Sequence, residues 1–359
     1  MSSIELMLSL SRAAIMDEKL AIPSDYRIDW DRLLDVSATH GTLAWVWDSV
    51  YYLPKEQRPS RLQSINWGLS AQEIWDTYHH QESVLKQVVS VCNNHEIRLL
   101  LLKGIGLSKL YPKPESRSCG DIDIFLFQDF DKGNQLFCED GSIIETALHA
   151  SFCIQNVNVE NHKMLIFPNT KTKKAVGQYL QCHLNDVELA EDGYYLLSPL
   201  PNLAYLLMHA LNHFNYSIDT HVISVRNILD LAVFIYSNKK YLNPEETFDV
   251  LHSIYLDRAF EMIVYLSEWL LKVDLSEYHK GLVKQRDIDK IERVIFEDGD
   301  HRSIERMSMW EKSTLLWKRF FMLFPLTKYV PRKPKNGLFY RVLKTQYKIL
   351  RGKKNWHFL

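Results

Sequence analysis

The segment LLLLKGIGLSKLYPKPESRSCGDIDIFLF, residues 99–127, constrains the fold more than any other stretch of the chain. Its opening leucines form an apolar run short enough for a strand covered on both faces, and the run stops at Lys103-Gly104. Gly104 and Gly106 allow a tight strand-to-helix turn, after which Leu107, Leu110 and Tyr111 begin a short packed helix that Pro112 and Pro114 limit. A second apolar run covers residues 122–127. Strand periodicity places Ile122, Ile124 and Leu126 on one face and Asp121, Asp123 and Phe125 on the other. Two carboxylates thus leave one strand in the same direction, about 6.6 Å apart at Cα, a spacing that flexible acids can bridge to hold magnesium.

A third strand is expected within residues 157–167, where Val157 and Val159 face one way and Asn158, Glu160 and His162 the other. Residues 144–152 are expected to form a connecting helix. Before this unit, residues 62–94 carry Val84, Leu85, Val88, Val91 and Cys92 at helical spacing, so one stripe of a long helix is buried. After Pro199 and Pro201, the runs NLAYLLMHALNHF, VRNILDLAVFIYSNKKYL and TFDVLHSIYLDRAFEMIVYLSEWLL predict helices. The expected fold class is α+β, a small mixed sheet with flanking helices plus a mainly helical C-terminal region. Its divisions are an N-terminal helical region at 1–95, an α/β core at 96–198, a helical substrate or partner domain at 199–326 and a basic aromatic tail at 327–359.

With 46% hydrophobic and 24% charged residues, the 359-residue chain has the composition of a folded protein rather than a disordered one. The N-terminus MSSIELMLSLSRAAIMDEKL lacks a basic region followed by an uninterrupted apolar stretch, and no run approaches the length of a membrane-spanning helix. The five cysteines include no closely spaced pair, which fits free thiols in a reducing compartment; a cytoplasmic location is expected. The net charge of -1 hides an asymmetry: residues 312–359 hold thirteen of the 43 lysines and arginines and none of the 44 acids. That basic stretch can attract an acidic protein partner or give peripheral contact with an anionic membrane. The acidic remainder argues against a surface that binds nucleic acid throughout.

Magnesium needs hard oxygen ligands and can join a polyphosphate to an incoming hydroxyl, which is the chemistry Asp121 and Asp123 suit. Lys103 can stabilise phosphate charge or pair with a carboxylate; for Arg117 phosphate contact is the preferred reading. Gly120 permits close approach beside Asp121.

The order Leu102-Lys103-Gly104, Tyr111-Pro112, Arg117 and Gly120-Asp121-Ile122-Asp123 resembles the hallmark of an uncharacterised bacterial nucleotidyltransferase family with a polymerase-β-like core. The resemblance covers roughly residues 30–330 and is specific at 99–127. It implies that the two aspartates are metal ligands and that Gly104, with the start of the following helix, belongs to a triphosphate-binding loop. It also makes Glu160, in Glu160-Asn161-His162, the third carboxylate, although a glutamate replaces the aspartate of many related cores. His162 can orient the acceptor or a phosphate oxygen, or be an ordinary hydrogen-bonded histidine. His209 and His213, one helical turn apart, match a histidine pair of the family. Structural hydrogen bonding or substrate contact is preferred there over zinc, because no cysteine cluster supplies further ligands. Arg226 and Asp230 share the same spacing, so an ion pair within one helix competes with phosphate recognition and is the preferred reading.

The function implied is magnesium-dependent transfer of a nucleoside monophosphate from ATP or another nucleoside triphosphate to a hydroxyl or phosphate of an unidentified small-molecule, peptide or protein acceptor. The competing readings are phosphoryl or pyrophosphoryl transfer, and an inactive member of the fold that binds a partner.

Overall fold

The computed structural model describes residues 1–18, 20, 22–23, 25–137, 143–220 and 224–297, without the side chains of 214–220 and 294–297. The basic stretch 312–359, including the expected tail at 327–359, lies outside the described residues.

Among the described residues four α-helices precede the sheet: α1 (Ser3–Met16), α2 (Trp30–His40), α3 (Leu43–Ser49) and α4 (Arg61–Asn94). Local chemistry sets their ends. Ser2 and Glu5 form a reciprocal capping box on α1, and Ser60 and Gln63 do the same on α4. The sheet region follows as β1 (Leu100–Leu101), α5 (Ile105–Ser108), β2 (Ile122–Phe125), α6 (Phe130–Phe137), β3 (Ile144–Glu145), β4 (His149–Ile154), β5 (Val157–His162), α7 (Lys171–Cys182), β6 (Glu188–Leu189) and β7 (Tyr195–Leu196). The helices α8 (Pro199–Thr220), α9 (Val225–Asn238), α10 (Pro244–Ser253), α11 (Asp257–Leu271) and α12 (Gln285–Glu297) complete the described chain.

The seven strands form one mixed sheet in the order β3-β4-β5-β2-β1-β7-β6. β2 pairs with β5 and β1 with β7 in parallel, and the other neighbours are antiparallel. The fold class is therefore α+β, with the sheet in mid-chain and helices on both sides of it in sequence.

Residues 144–152 correct the sequence expectation: they hold β3 and the start of β4, not a connecting helix. The segment HASFCI alternates, with Ala150 and Phe152 buried while His149, Ser151 and Cys153 are not, and a helix would spread those residues around its surface. Gln155 and Asn156 then take positive φ values of 49° and 65°, the two-residue geometry that joins twisted antiparallel strands. The connecting helix is α6, immediately after β2. The run at 247–271 likewise divides, because Tyr255 takes a φ of 64° between α10 and α11.

One face of the sheet packs its Ile122, Ile124, Leu126, Val157 and Val159 against Val84, Leu85, Val88 and Cys92 of α4. The opposite face brings Leu100, Leu102 and Phe125 into a larger core shared with α1 to α3 and α8 to α12. N-terminal and C-terminal helices are thus parts of one apolar body. Removing that area from water is the main stabilising contribution, and it also fixes α8 and α9 over the face of the sheet that carries the aspartates.

Candidate active site

The sheet register brings the acids together. Asp123 lies opposite Glu160 across the parallel β2–β5 pair, and Asp121 precedes Asp123 by one strand repeat. Partners in register point to the same side of a sheet, so the three side chains converge. Asp121, Asp123 and Glu160 each offer a carboxylate oxygen, and these oxygens lie within 4.8 Å of one another.

Lys103 reaches the cluster from the end of β1, where the Leu102 amide still donates to the Asp123 carbonyl at 3.1 Å. Its ammonium lies 2.8 Å from Asp123 Oδ2 and 3.8 Å from Asp121 Oδ2. Burial opposes that positive charge, but Asp123 and Asp121 outweigh burial and hold the lysine pKa above its usual value. Gly104 makes the turn that follows, at φ 61° and ψ -114°. A Cβ there would be strained at this φ and would come 3.3 Å from the Asp121 carbonyl oxygen, so glycine keeps Lys103 and Asp121 adjacent.

Asp123 is fully buried. Burial works against its charge, but the His162 hydrogen bond and the Lys103 charge bring its pKa down to about 2. His162 Nε2 lies 2.9 Å from Asp123 Oδ1; because an ionised carboxylate only accepts, Nε2 carries the proton and donates. Glu160 behaves in the opposite way. Burial and then the Asp123 charge raise its pKa, with His149 opposing them. His149 Nδ1 is 3.4 Å from Glu160 Oε2. The sequence expectation omitted His149, whose only signal is the alternation of HASFCI.

The donor set fits a magnesium ion. Three hard carboxylates meet one ammonium, leaving local negative charge in excess, and after burial the Asp123 charge helps raise the Glu160 pKa. A divalent cation among them would offset that excess.

A cavity of about 250 Å³ opens beside the acids, bordered by Lys103, Asp121 and the 118–120 loop on one side and by α8 and α9 on the other. Gly120 faces open space, with no atom within 4 Å of where a Cβ would stand, so the cavity and not protein packing adjoins it. His209 and His213 line the α8 wall with their Nε2 atoms 2.9 Å apart. Desolvation and then the Lys103 charge lower both imidazole pKa values, favouring a neutral pair in which one ring donates to the other. Neither histidine belongs to a group able to hold a metal among the described residues.

Asp230 pairs with a different arginine from the one expected from sequence. Asp230 accepts from Arg117 Nε at 2.8 Å and Nη2 at 2.7 Å, and from the Tyr111 hydroxyl at 2.8 Å. The Arg226–Asp230 ion pair expected within α9 is not formed. Arg226 Nη1 instead donates to the Ser118 carbonyl at 3.0 Å, while Arg226 lines the cavity. Arg117 also borders the cavity, but its planar fork is committed to Asp230.

A family model described as uncharacterised nucleotidyltransferase matches residues 26–272, which run from the approach to α2 through α11 and include the whole site. No curated protein and no solved structure matches the chain.

Proposed function

This chain belongs to the uncharacterised nucleotidyltransferase family, and from that premise we propose that it moves a nucleoside monophosphate from ATP or another nucleoside triphosphate to an acceptor. The acceptor atom is a hydroxyl or phosphate oxygen, and the reaction depends on magnesium. The observation that carries the reading is the convergence of Asp121, Asp123 and Glu160 beside a cavity that also receives Lys103.

Asp121, Asp123 and Glu160 would hold the ion. Bound there, magnesium supplies Lewis-acid polarisation of phosphate oxygens and neutralises charge on the departing pyrophosphate. In the transfer step the acceptor oxygen bonds to the α-phosphorus, and the bond from that phosphorus to the bridging oxygen breaks. The bridging electron pair leaves with pyrophosphate. Where the acceptor is a hydroxyl, Glu160 takes its proton. His162 fixes the Asp123 carboxylate through its donated hydrogen bond, and Lys103 offers positive charge at the edge of the cavity.

The reading includes a cytoplasmic setting, where nucleoside triphosphates are available and the free thiols of Cys92, Cys119, Cys153 and Cys182 stay reduced. Among the described residues, no helix is long and apolar enough to cross a membrane.

The test is product analysis with the full-length protein, magnesium, each α-labelled nucleoside triphosphate and a panel of hydroxyl and phosphate acceptors. The expected product gains the mass of a nucleoside monophosphate, pyrophosphate is released, and Asp123→Asn abolishes both signals. A product that gains phosphate alone, or labelling that survives replacement of both aspartates, overturns the assignment.

A further inference from the structure

Arg226 combines three properties that an ordinary structural arginine does not need together. It lines the cavity beside Lys103 and Asp121. Among the described residues its buried Nε has no hydrogen-bond partner, and Nη1 donates to the Ser118 carbonyl. No carboxylate among the described residues lies within salt-bridge distance of it, because Asp230, one turn along the same helix, is occupied by Arg117 and Tyr111.

The surrounding fold holds this side chain in place. Gly41 ends α2 in the left-handed conformation at φ 68°, and a Cβ there would approach Arg226 Cδ to 3.3 Å. The bare glycine gives the arginine stem its berth. Arg226 also sits in the first turn of α9, where the helix N-terminus adds partial positive charge. His209 and His213 face the same cavity in their neutral form, so they add hydrogen-bonding capacity without competing charge.

Burying an arginine N–H without a partner is costly unless an acceptor arrives to take it. A guanidinium offers several coplanar N–H donors that match a carboxylate or a phosphate, and in a nucleotidyl-transfer site the arriving group of that kind is the phosphate of the nucleotide. We propose that Arg226 is the anchor for the β- and γ-phosphates of the nucleotide, so that the α8–α9 cavity receives the pyrophosphate portion of the substrate. This inference rests on the nucleotidyl-transfer reading and adds which wall of the site holds the leaving group. Asp121 lines the same cavity and is grouped with Asp123 and Glu160, so a triphosphate anchored on Arg226 would bring its α-phosphate toward the carboxylate cluster.

The test uses the full-length protein and two probes without a base. Magnesium tripolyphosphate binding is followed by calorimetry, and Mn²⁺ binding alone by electron paramagnetic resonance. Arg226→Gln is expected to weaken tripolyphosphate binding about 10- to 100-fold, the scale of a lost charge-assisted pair, while Mn²⁺ affinity stays within about twofold of wild type. Arg226→Lys keeps the charge but not the fork and is expected to lose about fivefold or more. It carries the test if circular dichroism shows that the glutamine variant does not fold.

Unchanged tripolyphosphate affinity in either folded variant overturns the inference, as does a wild-type protein that does not bind the probe. A parallel loss of Mn²⁺ and tripolyphosphate binding also overturns it, because it would show that Arg226 acts only by holding the Ser118 loop. The two readings fail separately. Nucleotide label transfer with unimpaired binding in Arg226→Gln removes the anchor and leaves the enzyme assignment. Tripolyphosphate binding that needs Arg226 in a protein whose labelling ignores Asp123 removes the enzyme assignment and leaves the anion site.

Discussion

Asp123 and Asp230 are both buried aspartates with a basic partner, yet their surroundings differ in one decisive respect. Around Asp230 every strong valence is met: Arg117 gives two parallel hydrogen bonds, Tyr111 gives a third, and the local charges cancel. Around Asp123 they are not met. Lys103 is shared with Asp121, Glu160 stands in the opposite register position, and the acids outnumber the cation. A closed network of this kind fixes structure, here by tying α9 to the residue four positions before Asp121. An open network retains field and ligand capacity for something not supplied by the chain.

The largest expected effect separates the two networks by function. Asp121→Asn removes one carboxylate from the open cluster, and transfer should fall on the order of 10⁴-fold, as when a member of a catalytic unit is lost. Stability should change by less than about 1 kcal/mol, because the Asp121 side chain is 35% exposed and its ion pair to Lys103 spans 3.8 Å. Denaturant unfolding monitored beside the transfer assay checks both halves. A variant that loses activity only in proportion to lost fold would break the distinction.

The reverse result is expected at the closed network. Asp230→Asn leaves the Arg117 guanidinium buried without its counter-ion and should cost about 3–5 kcal/mol in unfolding free energy. The pH dependence has a definite sign. Burial opposes the Asp230 charge, but Arg117 prevails and lowers its folded pKa below the ordinary aspartate value. Its stabilisation is therefore fully present above the unfolded pKa of about 3.9 and is lost as pH falls through the lower folded value. Wild type and Asp230→Asn should differ most above pH 4 and converge in more acid solution. Urea titrations across that range measure the gap, and a constant gap would show that ionised Asp230 is not the source of the stability.

These contrasts were only partly legible in the sequence. Strand periodicity around Ile122, Ile124 and Leu126 assigns the Asp121 and Asp123 face without any long-range information, and the α4 stripe is equally local. His149 is hidden because a single polar-apolar alternation of six residues competes with a helix reading, and what decides against a helix is the Gln155-Asn156 turn. The Arg117–Asp230 pair was out of reach for a different reason. Arg226 and Asp230 have ideal helical spacing, and sequence gives no weight to an Arg117 that is 113 residues from Asp230 in the chain. A bidentate buried pair is stronger than an exposed pair along a helix, so packing of α9 against the 111–117 segment decides the matter.

Tyr111→Phe gives the smallest and most selective test of closure. The Tyr111 ring stacks on Trp45 with centroids 4.9 Å apart, and the phenylalanine keeps that contact while removing the hydroxyl donated to Asp230. Loss of one hydrogen bond to a charged acceptor should cost about 1.5 kcal/mol, with Arg117 still neutralising the carboxylate. In an Asp230→Asn background the same change should cost less than about 0.5 kcal/mol, since the charged acceptor is already gone. The difference is the coupling energy of a double-mutant cycle read by urea unfolding. Equal costs in the two backgrounds would mean that the Tyr111 hydroxyl does not act through the Asp230 charge, and the network around Asp230 would then be a simple ion pair rather than a closed triad.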